Sequence, residues 1–586
     1  MTTTATPQAH QQGATPARVA TDLSFIRFIY PFQFKPTDFV DRVEQIHHAT
    51  LQIGGARKRV GVWEPWKDDI FPSDFLLAHV GNQLKPGSHV AMGFWKLREE
   101  VRLDEHGLGS HGTWRFKMAR LKQQPDVTFR VDEVHLILFP VGIGFVVSHV
   151  VLDTDDLDMW YNFLHYFRFV DGQRATSLHA LWGVDQHPFY PFDMPLKGPT
   201  GQAIPLTFGH IIEALLRTSD IGPKTGADPW WRGVAIPGQV LPFVCLFVDN
   251  IGGDTHAKAT CVHRVRRFFH AAESLHLPDE DVRLIDHPNL LVHSKDMWFT
   301  ISLEGGAFVA CDAPEESYYR GEFNPNVPDK GGTITWRLKR IYYFLFVLAL
   351  HQKLAVEAIS NEVATAWLPT KSGGSGDQEP TMLIETRERQ LENIHDRLIR
   401  FMALSYFTQV AQQEKHHQYY ARLQAAFTIE QLYKEVTAEV REMHDYLYTL
   451  RQDRADSLAA NINKIVFALG LPLFVLSLIS TLGTLGLLGK AQDVSFAFVL
   501  LPTGTALVCG YLLIEHVPRI REWNKAGRLE RMFRFVAPFV AILLLTLMLL
   551  QTRLGYPWRV ADVVVGVVAT CAVAWYRYRS RHHAAS

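Results

Sequence analysis

The sequence predicts an α+β cytoplasmic domain, a long helical stalk and a C-terminal α-helical transmembrane region. Three observations carry this reading. Long uncharged apolar runs occur only after Asn463. From residue 429 onward apolar residues recur at spacings of three and four, with no Pro or Gly before Gly470, as in one extended helix. Ahead of them, runs rich in aromatic and β-branched residues alternate with helical periodicity, the mark of a mixed domain.

At 586 residues the chain allows three or four units at roughly 150 residues each. Residues 1–20 are rich in Thr, Gln and Ala, lack an apolar core and read as a disordered lead-in rather than a signal peptide. Residues 21–332 form the cytoplasmic α+β domain. Its first strand, 23–32 (LSFIRFIYPF), ends at Pro36-Thr37-Asp38, after which Phe39, Val43 and Ile46 give a helix. Residues 134–139 and 143–152 flank the turn Pro140-Val141-Gly142 as a buried hairpin, and Asp153 to Asp156 cap a helix through Phe167. A strand at 241–248 (LPFVCLFV), a helix at 261–274 and a hairpin at 297–303 and 307–311, turning at Gly305-Gly306, repeat the order about 200 residues later. That spacing suits two related halves.

Residues 333–464 are the helical region and stalk. The apolar stretch 341–350 is too short to span a membrane and reads as a buried helix. After the flexible loop 369–380 (PTKSGGSGDQEP) a helical pattern runs from 382 to about 425. Thr428 and Gln431 match a capping box for the next helix, whose seam is Ile429, Leu432, Val436, Val440, Met443, Leu447 and Leu450. Such a seam suits a coiled-coil or bundle contact, between subunits or within one against 382–425. A helix over 429–464 would be on the order of 50 Å long and lead directly into the first span.

Residues 465–577 hold about four spans. The uncharged runs 465–489, 494–514 and 535–552 each reach a spanning length, whereas 563–576 must borrow flanking residues. Six Lys/Arg lie between the second and third runs, at 519, 521, 525, 528, 531 and 534, against Lys490 alone between the first two. Both termini, including the basic tail 578–586, are therefore expected in the cytoplasm, with the protein in the inner membrane.

This layout resembles the CorA-like divalent-cation transporter superfamily: a cytoplasmic α+β domain, long helices, one helix continuing into the first span, a short outer loop and a basic cytoplasmic segment. The resemblance lies in organisation over 382–534. It implies a homopentamer whose first spans line a pore, with a divalent cation as transported ion. The family's Gly-Met-Asn triplet after the first span is missing; residues 484–493 read TLGLLGKAQD.

Asn463, Gly470, Ser477 and Thr484 recur every seven residues, with Thr481 between them, along one stripe of the first span. Around an axis such a stripe forms rings of small polar groups that can hold water or an ion. The same residues also permit tight helix packing, and the sequence alone leaves both readings open.

Other patterns carry little chemistry. The near balance of 59 Lys+Arg and 60 Asp+Glu gives no basic patch for nucleic acid. Five scattered cysteines form neither a zinc site nor a disulfide framework. The adjacent pairs His47-His48 and His416-His417 point to different sides of a helix, so no metal site follows. Asp153, Asp155, Asp156 and Asp158 lack the glycine and final glutamate of a calcium loop. Gly142-Ile143-Gly144 is turn chemistry. No Walker, GxSxG or Cys-His signature appears, so neither an enzyme nor a cofactor is expected. The sequence favours a gated cation channel or transporter; the alternative is a sensor or effector that couples a cytosolic signal to the membrane without transport.

Overall fold

The computed structural model describes residues 16–53, 58–66, 75–84, 92–103, 108, 113–116, 127–170, 178–180, 207–218, 229–233, 239–266, 284, 287–321, 332–367 and 380–484. The spans expected at 494–514, 535–552 and 563–576, the loop 485–493 and the basic tail lie outside the described residues, as does most of the lead-in. Contacts divide the chain into two units, Met1–Thr449 and Leu450–Ser586.

The first unit is built on one mixed sheet of thirteen strands. Its main strands are β1 (Phe25–Gln33), β2 (Gly93–Leu97), β3 (Val127–Phe139), β4 (Ile143–Leu152), β5 (Leu241–Asp249), β6 (Leu290–Ser294), β7 (Met297–Ser302) and β8 (Gly305–Cys311). The path runs from Leu178–Ala180 through Thr113–Phe116 to β3, β4, β1, β5, β8, β7 and β6, and β2 pairs with β3 off this path. Both expected hairpins are present. The two groups of strands join where β1 meets β5 in antiparallel register, Arg27 opposite Phe243. Within the groups the pairing sense differs: β1 lies antiparallel to β4, whereas β5 lies parallel to β8.

Side chains alternate across the sheet, so each strand feeds two layers. One layer holds Ile26, Phe28, Leu136 and Val244, packed with helices α1 (Phe39–His48), α2 (Leu157–Phe167), α3 (Phe208–Arg217) and α4 (Thr255–Arg266). Asp156 caps α2 as expected, its Oδ1 accepting from Asp158 N at 2.9 Å and Met159 N at 3.4 Å. Helix α4 begins at Thr255, earlier than the sequence suggested, because Asp254 accepts from His256 N.

The opposite layer is covered by a helical stretch that starts at Ile334, widens into a π-helical turn at Leu338–Tyr342 and continues as α5 (Tyr343–Trp367). The residues Ile334–Ala366 are long and apolar enough to cross a membrane, yet 83% of their most apolar window is buried inside the protein. A helix apolar on all sides and enclosed by protein is a core helix, as the reading of 341–350 anticipated. Gly306 serves this contact: a Cβ there would meet the Phe346 ring at 2.8 Å. The hairpin turn is therefore at Leu303-Glu304, and Gly305 and Gly306 belong to β8, not to the turn.

The helical pattern expected over 382–425 is broken. It forms α6 (Pro380–Leu404) and α7 (Glu414–Ala426), with an irregular segment between them. The buried Gln352 holds that segment, donating to Ser405 O at 2.7 Å while its Oε1 accepts from Tyr420 Oη at 2.8 Å. The capping box at Thr428 is not formed. The two-residue link to α8 (Ile429–Thr484) forces Thr428 to φ 53°, and its hydroxyl donates to Phe427 O instead of accepting from the helix.

Helix α8 is unbroken over 56 residues. Four of its seven seam residues, Ile429, Val436, Val440 and Leu447, are buried, as are Leu391, Ile394, Leu398 and Phe401 of α6, whereas Leu432, Met443 and Leu450 are half-buried.

Candidate functional site

Asn463, the first of the polar stripe, is exposed on α8. Gly470, Ser477, Thr481 and Thr484 continue along the same helix, so the backbone places all five on one element; the side chains of these four lie outside the described residues. Among the described residues no group of three His, Cys, Asp or Glu side chains could hold a metal ion. His47 and His48 are exposed on α1, and His416 is buried beside Tyr342.

The polar chemistry that the fold does gather lies elsewhere, between the sheet and the π-helical turn. Arg27, the third residue of β1, is only 2% exposed. Strand register sets it opposite His149 of β4, and His149 opposite Glu133 of β3. Glu133 reaches this face through a β-bulge between Val131 and Glu133. Val131 before the bulge and Val134 after it both enter the other layer, so without the extra residue Glu133 would point into the apolar core.

Arg27 Nε donates to His149 Nδ1 at 3.2 Å, and Nη2 lies 3.7 Å from Glu133 Oε2. Its Nη1 donates to Lys339 O at 2.7 Å, within the π-helical turn. A π turn departs from the regular α-helical ladder, and here the guanidinium binds one of its carbonyls. The guanidinium also stands 4.0 Å over the Tyr343 ring. Burial lowers the Arg27 pKa, but these partners satisfy a cation that does not deprotonate in proteins. Because His149 Nδ1 accepts, its proton resides on Nε2, and burial together with Arg27 keeps its pKa well below the usual value. Burial opposes charge on Glu133, yet the His135 hydrogen bond and Arg27 outweigh it and hold the carboxylate below its usual range. Lys96 of β2 completes the cluster, its Nζ 3.0 Å from Glu133 Oε1.

Above this cluster opens a cavity of about 380 Å³. Its wall carries five cationic side chains, Arg27, Lys96, Arg320, Lys339 and Arg340, against two carboxylates, Asp22 and Glu133. Three of the cations are committed: Arg27 and Lys96 as above, and Arg320 through Asp249 Oδ1 at 2.6 Å. Trp66, from the strand end beside β2, and Thr335, from the start of the covering helix, also line it. The arrangement offers hydrogen-bond donors and positive charge.

The sequence alone does not reveal this cluster. Its signal is present as single polar residues inside apolar strands, Arg27 in FIRFIYPF and His135 in VHLILF. Only register shows that they meet. No family model, curated protein or solved structure matches the chain.

Proposed function

We propose that the chain is a homo-oligomeric membrane channel or transporter of CorA-like organisation, carrying cations along an axial pathway controlled by its cytoplasmic sheet domain. The supporting observation is α8, which continues without a break from Ile429 to Thr484, inside the uncharged run 465–489. A helix with one end packed on a regulated domain and the other in a bilayer can transmit a displacement between them. The resemblance supplies the pentamer and the divalent cation; the Lys/Arg distribution supplies cytoplasmic termini and an inner-membrane location.

In this reading Asn463, Gly470, Ser477, Thr481 and Thr484 line the pathway, with small polar groups replacing part of an ion's hydration shell. Subunit contact comes from Leu458, Ile462, Ile465 and Val466, apolar side chains exposed on α8 at spacings of four, three and one. Flux through reconstituted vesicles tests the assignment. Ser477→Asp and Thr481→Asp place rings of negative charge in the pathway and are expected to raise cation selectivity. A well-assembled oligomer with unaltered selectivity in both variants would remove the pore assignment.

The second reading is a membrane-bound sensor that does not transport, favoured by the absence of Gly-Met-Asn from 484–493. An assembled particle that shows no flux for any common cation would select it.

A further inference from the structure

We propose that Cys261 and Cys311 are a reversible redox pair, which hydrogen peroxide converts to a disulfide that pins α4 to the end of β8. The inference is independent of the membrane reading above.

Packing brings the two sulfurs together from positions fifty residues apart. Cys261 lies on the buried face of α4, and Cys311 is the last residue of β8. One chain of contacts fixes their approach. Cys311 N donates to Asp296 O at 2.9 Å, and Asp296 Oδ1 lies 2.9 Å from Nζ of Lys258, one turn before Cys261 on α4. From α2 the buried Tyr161 donates its Oη to Cys261 Sγ at 3.2 Å. The Arg264 guanidinium, one turn after Cys261, stands 4.4 Å from the centre of the Tyr161 ring.

These neighbours give the two thiols unequal roles. The Cys311 thiol, the Tyr161 hydroxyl and Arg264 together lower the Cys261 pKa against the opposing effect of burial. Contact with Cys261, and then burial, raise that of Cys311. Exposure follows the same order: Cys261 is 4% exposed and Cys311 is closed off. Cys261 is therefore the sulfur that a small peroxide meets first, and Cys311 the one that resolves it. Cys245, buried in β5 with its thiol toward Leu23 O and its pKa raised by burial, is an internal control.

The Cys261 thiolate attacks one peroxide oxygen. The S–O bond forms, the O–O bond breaks, and the departing hydroxide takes up the proton that the thiol released, leaving as water. The Cys311 sulfur then attacks the sulfenic acid at Cys261. The S–S bond forms, the S–O bond breaks, and the leaving hydroxide carries off the Cys311 proton as a second water. Two thiols lose two electrons in all, and the peroxide gains them.

The test treats the full-length protein in detergent with hydrogen peroxide, alkylates it after unfolding and digests it with trypsin for mass spectrometry. The expected product joins peptides 259–264 and 296–320, two hydrogens lighter than their sum, and dithiothreitol reverses it. Cys245 should remain open to alkylation. In Cys311→Ala, dimedone should label Cys261, because its sulfenic acid then lacks a resolving thiol. Arg264→Gln should slow cross-linking by roughly threefold or more. The link in the unaltered chain needs no variant, so a poorly folded substitution leaves the test intact. Free Cys261 and Cys311 after excess peroxide overturn the proposal, as does oxidation of Cys261 to sulfinic acid without the link, or linkage of Cys245 in equal yield.

Discussion

The two faces of β1 are covered by helices to similar depth and are built on different principles. On one, Ile26 and Phe28 meet α2, where Phe28 lies 4.6 Å from the Phe167 ring and Phe163 contacts Phe129 at 5.2 Å. That face is dry in the sense of being mainly apolar, so most of its stability is shape and apolar area. On the other, Phe25 and Ile29 flank Arg27, and the layer includes His149, Glu133, His351 and Gln352 among aromatic rings. A dry face accepts any side chain of suitable volume. A face with buried charge accepts only the side chain that satisfies every partner, which is a more specific and more fragile solution.

The largest test of this contrast is a pair of substitutions. Phe163→Ala on the dry face and Arg27→Met on the polar face are each expected to cost about 3–5 kcal/mol, the first through a cavity and the second by stranding Glu133, His149 and the Lys339 carbonyl. Conservative changes should separate them. Phe163→Leu loses about 1–1.5 kcal/mol because volume is nearly kept. Arg27→Lys keeps charge but cannot reach three partners on separate sides, so most of the Arg27→Met loss should remain. Denaturant midpoints from tryptophan fluorescence measure all four, and a mild Arg27→Lys would break the comparison.

A smaller effect distinguishes residues within the polar face. His351 is fully buried and stacked 3.8 Å from Phe139, and neither ring nitrogen has a partner among the described residues. Burial pushes its pKa down to about 3. The unfolded chain therefore binds more protons between about pH 3 and 6.5, and this group alone removes stability at about 1.4 kcal/mol per pH unit as pH falls through that window. His351→Phe should flatten the acid limb of the stability profile. At pH 7.5 it should gain about 1–2 kcal/mol by deleting two unsatisfied groups. His149→Phe is expected to do the reverse at neutral pH, since it deprives Arg27 Nε of its acceptor. Equal responses from the two histidines would show that pairing does not distinguish them.

The same contrast governs what is legible in the sequence. The dry face is readable, because the apolar, aromatic and β-branched runs of β1, β3 and β4 and the Asp156 cap of α2 are local patterns. The core helix is legible from its uninterrupted apolar run. The apolar seam of α8 is visible too, but its partner α6 is not fixed by it, since periodicity says that a face is buried and not by what. The Arg27 cluster is illegible. Its members come from positions 27, 96, 133, 149 and 339, and they meet only through strand register, one bulge and a π turn, none of which leaves a local motif. The break after Leu404 is hidden for a similar reason: it is held by Gln352, more than fifty residues away.

The smallest expected effect asks whether the two faces are energetically separate. Asp156 satisfies two N–H groups at the start of α2, the helix that seals the dry face, and its removal leaves them without that partner. Asp156→Ala should cost about 1 kcal/mol, whereas Asp156→Asn, which can still accept, should cost only a few tenths. Combining Asp156→Ala with Arg27→Met then forms a cycle across the sheet. Sites without shared partners add to within about 0.5 kcal/mol, so a double variant close to the sum means that β1 merely separates two cores. A surplus beyond that would mean that strain at the Arg27 cluster reaches α2 through the strand, joining the cavity side of the sheet to its apolar side.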